Sequence, residues 1–323
     1  MRDNKIMADG FSKILVTGGA GFIGSHLVDR LIENGYTVRV IDDLSTGEKQ
    51  NLAHHKNNES FQFIEGDIRD YNLVKKCVKD VDAVFHEAAL VSVTLSLEDP
   101  LLSNEINVKG SLNLLKACVD ANVKRFIFAS SCAIYGDTEV LPITENFSGH
   151  PLSPYAVDKL AVEKYAKVFN DSFEIETVGL RYFNVYGPRQ KYGPYSGVIS
   201  IFINKLLEDK APTIFGDGEQ TRDFVNIRDI IEANMLALSK RDFSGEVFNI
   251  SSGRAITINK ILKIIKQLLR KEKIDPLYSE PRFGDIKHSY ADITKAQKIL
   301  GYKPKIQINK GLEQLIQYSL KQK

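Results

Sequence analysis

The chain has 323 residues, 43% hydrophobic and 26% charged, enough for one large or two smaller domains with an ample core. A formal net charge of +2 with no basic run gives no reason to expect a nucleic-acid partner, and the lack of an apolar run of roughly 18 residues leaves neither a membrane span nor a signal peptide to expect. Cys77, Cys118 and Cys132 are odd in number and have no CxxC spacing, which points to reduced thiols in a cytoplasmic protein.

Residues 1–10 are polar and are expected to be disordered. Residues 13–17 (KILVT) form a short apolar run, followed at once by glycines. Residues 22–34 read as a helix with Ile23, Leu27, Leu31 and Ile32 on one apolar face, stopped by Gly35. Residues 37–41 (TVRVI) predict a second strand that ends at Asp42 and Asp43. Further strands are expected at 61–65, 83–86, 125–129 and 174–181, with helices notably at 104–121 and 153–170. Strands alternating with helices mean βαβ units and a parallel sheet. The strands are nearly all apolar, as a sheet covered by helices on both faces requires. After Asn184 the pattern changes. Residues 186–197 are rich in Gly, Pro and Tyr and read as a loop. A helix is expected at 198–208, short strands at 211–215 and 224–225 around Gly216-Asp217-Gly218, and helices at 258–269 and 312–320.

Gly18, Gly21 and Gly24 form a GxxGxxG pattern at a strand-to-helix junction. Glycines there let the backbone turn tightly and approach phosphates, and the helix N-terminus offers free N–H groups and partial positive charge. Asp42 ends the next strand, 18 residues beyond Gly24, where its carboxylate suits the ribose hydroxyls of an adenosine and repels a 2′-phosphate. The pattern therefore favours NAD over NADP. Asp67 and Ile68 follow the third strand and would flank the adenine. Glu87, Ala88 and Ala89 follow the fourth strand, near the expected crevice, and the small alanines would let a cofactor lie close to the backbone. His86 reads as a packed strand-end histidine. Asn107 either touches the cofactor or bonds locally.

Tyr155 and Lys159 are four residues apart on an expected helix and share a face. A free tyrosine titrates near ~10, too high for a base at neutral pH. A nearby ammonium, and the positive charge of an oxidised nicotinamide, would stabilise the phenolate and lower that value. Ser131 follows a strand and would bond the same substrate oxygen. A cofactor site combined with an alcohol-activating base implies redox chemistry at a carbinol carbon.

The opening TGGAGFIGSHLVDRL, Ser131 through Tyr135-Gly136, PYAVDK and LRYFNVYGPRQ together resemble the extended short-chain dehydrogenase/reductase family, most closely its UDP-sugar 4-epimerases. The likeness runs from about Lys13 to Pro304, and the segments IFGDGEQTRDFV and PRFGDIKHSYAD narrow it to nucleotide-sugar enzymes. It implies a Rossmann-type doubly wound sheet over residues 12–183, with returns near 221–262, and a smaller mixed α/β substrate lobe mainly over 184–323. It adds Phe22, Ile23, Asp43, Ser45, Thr46, Gly47 and Phe183 to the implied cofactor contacts. It implies that Arg222 and Arg282 bind the substrate diphosphate, where a guanidinium fork suits paired oxygens. Asn184 would bond the sugar or a phosphate oxygen, and Val198 would lie beside the substrate. Phe215 would pack near uracil or in the core. Asp285 would bind the ribose or only close a turn. Ser289 stands where a bulky tyrosine accompanies restriction to non-acetylated sugars, so a small residue there implies room for an N-acetyl group.

One departure narrows the reaction. Related dehydratases carry Asp-Glu directly after the catalytic hydroxyl residue, and related decarboxylases carry a glutamate two positions after it. Cys132 and Ala133 stand there instead, and neither can serve as a carboxylate acid or base. The implied activity is an NAD-dependent UDP-hexose 4-epimerase, without a metal, acting as a homodimer through a helix bundle that includes 104–121 and 153–170. The alternatives are a UDP-uronate or dTDP-deoxyhexose epimerase or reductase, or a dinucleotide-binding sensor without turnover.

Overall fold

The computed structural model describes residues 10–191, 193, 197–281 and 286–322. The segment 1–9 and the two expected substrate contacts Arg282 and Asp285 lie outside the described residues, as does part of the expected loop at 186–197.

The first half alternates as expected. β1 (Lys13–Thr17) leads through the glycine turn into α1 (Phe22–Glu33), then β2 (Thr37–Asp42) and β3 (Phe61–Glu65). α2 (Tyr71–Cys77) begins where the Asp70 side chain accepts from the N–H groups of Asn72 and Leu73. β4 (Ala83–His86) is followed by α3 (Val93–Glu98), capped by Ser92, and α4 (Pro100–Asn104), capped by Asp99 with proline in its first turn. The expected helix at 104–121 is instead part of a longer run. A π turn at Glu105–Lys109 joins α4 to α5 (Gly110–Asp120). β5 (Arg125–Ser131) runs into a 3₁₀ turn at Cys132–Tyr135. α6 (Pro154–Ser172) starts at Ser153, whose hydroxyl accepts from Ala156 N–H, and β6 (Glu176–Tyr182) follows.

The second half holds β7 (Asn184–Tyr186), α7 (Val198–Leu207), β8 (Thr213–Phe215), β9 (Thr221–Arg222), β10 (Phe224–Asn226), α8 (Ile227–Ser239) and β11 (Glu246–Ile250). β12 (Ile256–Thr257), α9 (Ile258–Leu269), β13 (Leu277–Ser279) and α10 (Ile308–Lys321) complete the chain.

Seven strands form one parallel sheet in the order β11-β6-β5-β4-β1-β2-β3. The order reverses beside β1, between β2 and β4, so a crevice opens there at the carboxyl ends of the strands. α1 packs beside α8, while α2, α5 and α6 bring their apolar sides to a second cluster that holds Leu15, Val84, Phe126, Leu114 and Val162. Each such fully buried aliphatic or aromatic side chain contributes on the order of 1.5–3 kcal/mol. The sheet strand β11 and helix α8 lie far along the chain, within the returns expected near 221–262. A third cluster, around Phe202, Ile214, Ile261 and Leu312, joins α7, β8, α9 and α10 into the smaller lobe.

Candidate active site

The glycine turn has the shape a dinucleotide phosphate needs. Gly18 has φ +66°, and a Cβ there would lie 2.7 Å from Ala88 N. A Cβ on Gly24 would lie 2.2 Å from the Gly18 carbonyl oxygen. Only glycine allows α1 to start this close to β1 and β4. Gly21 is the N-cap with no side-chain cap, and no acidic residue occupies the first turn. The leading N–H groups, those of Phe22 and Ile23 among them, therefore stay available to an anion.

Asp42 is buried at the end of β2. Its carboxylate accepts from Ala20 N–H at 2.9 Å and from Leu44 N–H at 2.8 Å, which fixes its orientation beside the turn. Burial raises its carboxyl above the usual range, and the two backbone bonds oppose that. Asp43 accepts from the N–H and hydroxyl of Ser45, which shapes the Ser45-Thr46-Gly47 bend. A Cβ on Gly47 would lie 2.7 Å from Asp42 Oδ1, so this bend closes over the carboxylate and leaves little room for a phosphate. Asp67 is paired with Arg69 (2.6 Å), and Ile68 is buried.

Two expected cofactor contacts, Asn107 and Phe183, have other partners. Asn107 is 2% exposed; its Oδ1 accepts from Leu90 N–H at 2.9 Å and its Nδ2 donates to Leu90 O at 3.1 Å. It clamps the wall after β4 through the π turn, the local bonding that was one of its two expected roles. Phe183 is buried, with its ring centroid 6.2 Å from that of Tyr135, so its ring belongs to the core at the end of β6. His86 is buried and neutral, as expected. Ser111 donates to Asn107 O, so His86 Nε2 carries the proton toward Ser111 (2.7 Å) and Nδ1 accepts from Thr17 (2.8 Å). Burial, with Lys159 nearby, takes it down to about 3.

Tyr155 and Lys159 do share a face of α6, with Lys159 Nζ 5.9 Å from the Tyr155 ring centroid. Both are buried, and Nζ donates to Ala129 O at 2.9 Å. Burial pushes the Tyr155 phenol up to about 12, with the Ser131 hydroxyl beside it acting the other way. Burial brings Lys159 down to about 8, opposed by Glu87, Asp158 and Glu163. The expected lowering of the Tyr155 phenol called on both an ammonium and an oxidised nicotinamide, and Lys159 is the only one of the two that the protein itself supplies. In the protein alone desolvation wins, and lowering the phenol needs a further positive charge in the site.

The floor beneath these groups is rigid. Arg181 and Glu163 form a bidentate buried pair (2.8 and 2.7 Å), Ser130 donates to Glu163, and Arg181 reaches the Tyr135 hydroxyl at 2.7 Å. Asp158, between Tyr155 and Lys159 in sequence, accepts from Ser103 at 2.6 Å and ties α6 to α4. These positioning contacts are long-range, and the sequence carries no local signal for them.

From the smaller lobe, Arg222 lies close enough for its guanidinium to act on the Cys132 thiol, one residue past Ser131. Burial nevertheless raises that thiol to about 12. Asp223 is fully buried and binds Ser252, Gly253 and Ala291, which positions the segment leading from Ser289. Asn184 begins β7 and donates through Nδ2 to Asp223 O at 3.3 Å; Val198 begins α7, and Phe215 ends β8. Ser289 is 6% exposed, and its N–H donates to Thr221 O, directly before Arg222. Asp29, His54 and His55 bring three possible ligand atoms within 4.8 Å, but Arg189 is already paired with the other Asp29 oxygen at 2.8 Å. An open groove of about 500 Å³ beside Tyr290 and Arg254 includes none of Ser131, Tyr155 and Lys159.

Residues 14–251 match the model of the NAD dependent epimerase/dehydratase family. The chain belongs to that family. A UDP-glucose 4-epimerase of Mycolicibacterium smegmatis is 34% identical over 95% of this chain and 98% of its own length. The solved structure of a UDP-N-acetylglucosamine 4-epimerase from Methanobrevibacter ruminantium, in complex with UDP-N-acetylmuramic acid, superposes with a TM-score of 0.93 at 41% identity, covering 98% of this chain and all of that one. The crystal structure of a UDP-glucose 4-epimerase from Thermotoga maritima with UDP-glucose gives 0.91 at 43% identity, covering 96% and 99%. The glycine cradle, the uncapped helix start and Asp42 fit the cofactor of this family.

Proposed function

We propose that this member of the family is a UDP-hexose 4-epimerase that acts on UDP-glucose and UDP-galactose and on their N-acetylated counterparts. The observation that carries the reaction type is the set Ser131, Tyr155 and Lys159 beside the glycine cradle, with Cys132 and Ala133 where elimination or decarboxylation needs a carboxylate.

The residues divide the work. NAD, when bound, supplies the hydride acceptor that C4 requires and returns the hydride. Tyr155 takes the 4-hydroxyl proton, with Ser131 holding the same oxygen. Lys159 adds positive charge behind the phenol once the site is closed to water. Arg222 holds the diphosphate, so the 4-keto sugar can turn over without leaving. Tyr155 then gives the proton back to an oxygen on the opposite side of the ring.

Substrate breadth rests on Ser289, a small side chain on the segment that pairs with Thr221 beside Arg222. The test is a panel of UDP-glucose, UDP-N-acetylglucosamine, UDP-glucuronate and dTDP-sugars, with products identified by NMR. Both neutral UDP-sugar pairs are expected to interconvert. Ser289→Tyr is expected to abolish the acetylated reactions selectively, since a packed pocket does not absorb an extra ring cheaply. Equal losses on both sugar types, or wild type inert toward UDP-N-acetylglucosamine, would reject the pocket argument. Turnover of the uronate or the dTDP-sugars alone would replace the substrate class.

A further inference from the structure

Glu87 directly follows β4. Its main chain passes over the glycine turn: a Cβ on Gly18 would lie 3.0 Å from the Glu87 carbonyl carbon. Its side chain reaches the other way, to the hydroxyl of Tyr182 at the end of β6, which donates to Glu87 Oε1 at 3.0 Å. In the sheet β5 lies between β4 and β6, and Tyr182 is the register partner of Ser131. The carboxylate therefore spans the carboxyl end of β5. It lies on the crevice floor between the glycine turn and the catalytic Ser131. Asn234 of α8 fixes the far end, donating to the Tyr182 hydroxyl at 2.8 Å.

We propose that the Glu87 carboxylate is the counter-charge on the crevice floor that makes this protein hold the oxidised, positively charged nicotinamide in preference to the reduced, neutral one. The inference rests on the cofactor reading above and extends it to the redox balance of the bound group. An enzyme that returns its hydride in every cycle must end each turnover oxidised, and a fixed negative charge at this place biases the cofactor that way.

The surrounding groups support the assignment. Burial raises the Glu87 carboxyl to about 7, opposed by the Tyr182 bond from β6 and by the Lys159 charge from α6. On its own strand the neighbouring His86 is neutral near pH 7. A carboxyl poised there ionises more readily when a cation arrives. By linkage the cation is held more tightly when the carboxyl is ionised. The preference for the oxidised form should therefore grow as pH rises through about 7.

The test uses the holoenzyme without any sugar nucleotide, equilibrated with a redox mediator couple, and reads the reduced fraction from the nicotinamide absorbance. At about pH 8, Glu87→Gln is expected to raise the ratio of reduced to oxidised cofactor roughly tenfold, the scale of one partly screened charge. At about pH 6, where wild type is itself largely protonated, the two proteins should nearly agree. Glu87→Asp keeps the charge and should stay near the wild-type ratio. An unchanged ratio in Glu87→Gln at the higher pH, or the same shift in both variants, overturns the proposal. Since no sugar is present, that outcome leaves the epimerase reading standing, whereas a wild-type protein that binds no NAD would remove both.

Discussion

Tyr155 shows how far a single residue's chemistry depends on its surroundings. The same burial that excludes water from a reacting alcohol also raises the phenol to about 12, so the protein without cofactor holds it protonated. Lys159 is anchored on Ala129 O, and the expected effect on Tyr155 appears only when a second positive charge enters the site. Tyr155→Phe keeps the ring and removes the ionisable oxygen. Its kcat is expected to fall at least ~100-fold, the usual scale for losing a general base, with NAD content measured on the purified protein nearly unchanged. Turnover close to wild type would show that another group takes the proton. Gly18, Gly24, Asp42, Tyr155 and Lys159 were legible because each acts within a local motif. The partners of Asn107 and Phe183, Leu90 and Tyr135, were not legible, because they come from other parts of the chain. Glu87 and Tyr182 are 95 positions apart, and no spacing rule links them.

β1 to β6, β8, β10, and the helices α1, α6 and α9 stand where apolar periodicity and turn residues put them, to within a few residues. Less legible was the run from α3 to α5. There Ser92, Asp99 and Pro100 divide residues 92–104 into two short capped helices, and a π turn then joins them to α5. α5 buries Leu114, Leu115 and Cys118 against the sheet. Among the exposed apolar residues are Val93, Leu97 and Leu101 on α3 and α4, and Val157, Tyr165 and Val168 on α6. α3 and α4 pack on α6, so these side chains belong to one neighbourhood. If the chain forms the expected homodimer through a bundle that includes 104–121 and 153–170, this α3–α4–α6 neighbourhood would extend the same face. A double substitution Leu97→Asp and Val168→Asp should convert a dimer into a monomer in sedimentation while the circular dichroism spectrum is kept. A wild-type protein that sediments as a monomer, or a variant dimer, would rule this face out.

For the whole molecule, the sheet order makes the function possible. The reversal beside β1 opens one crevice whose floor carries the glycine turn, Glu87, Ser131 and Tyr182 from four different strand ends. The sequence pattern predicted that sheet. It did not predict how β11 and α8 close it from the second half, or how Asp223 ties β9 and β10 to the segments at 252–253 and 291. Those contacts bring Arg222 toward Ser131 and define where an anchored diphosphate would sit. In the proposed cycle one bound cofactor takes and returns the hydride of C4 while the sugar nucleotide stays in place. UDP-glucose carrying deuterium at C4 is incubated with the protein in ordinary water with no added NAD, and the UDP-galactose formed is examined by NMR. The product is expected to retain deuterium at C4. Product with hydrogen from water at C4, or no product until NAD is supplied continuously, would contradict that cycle.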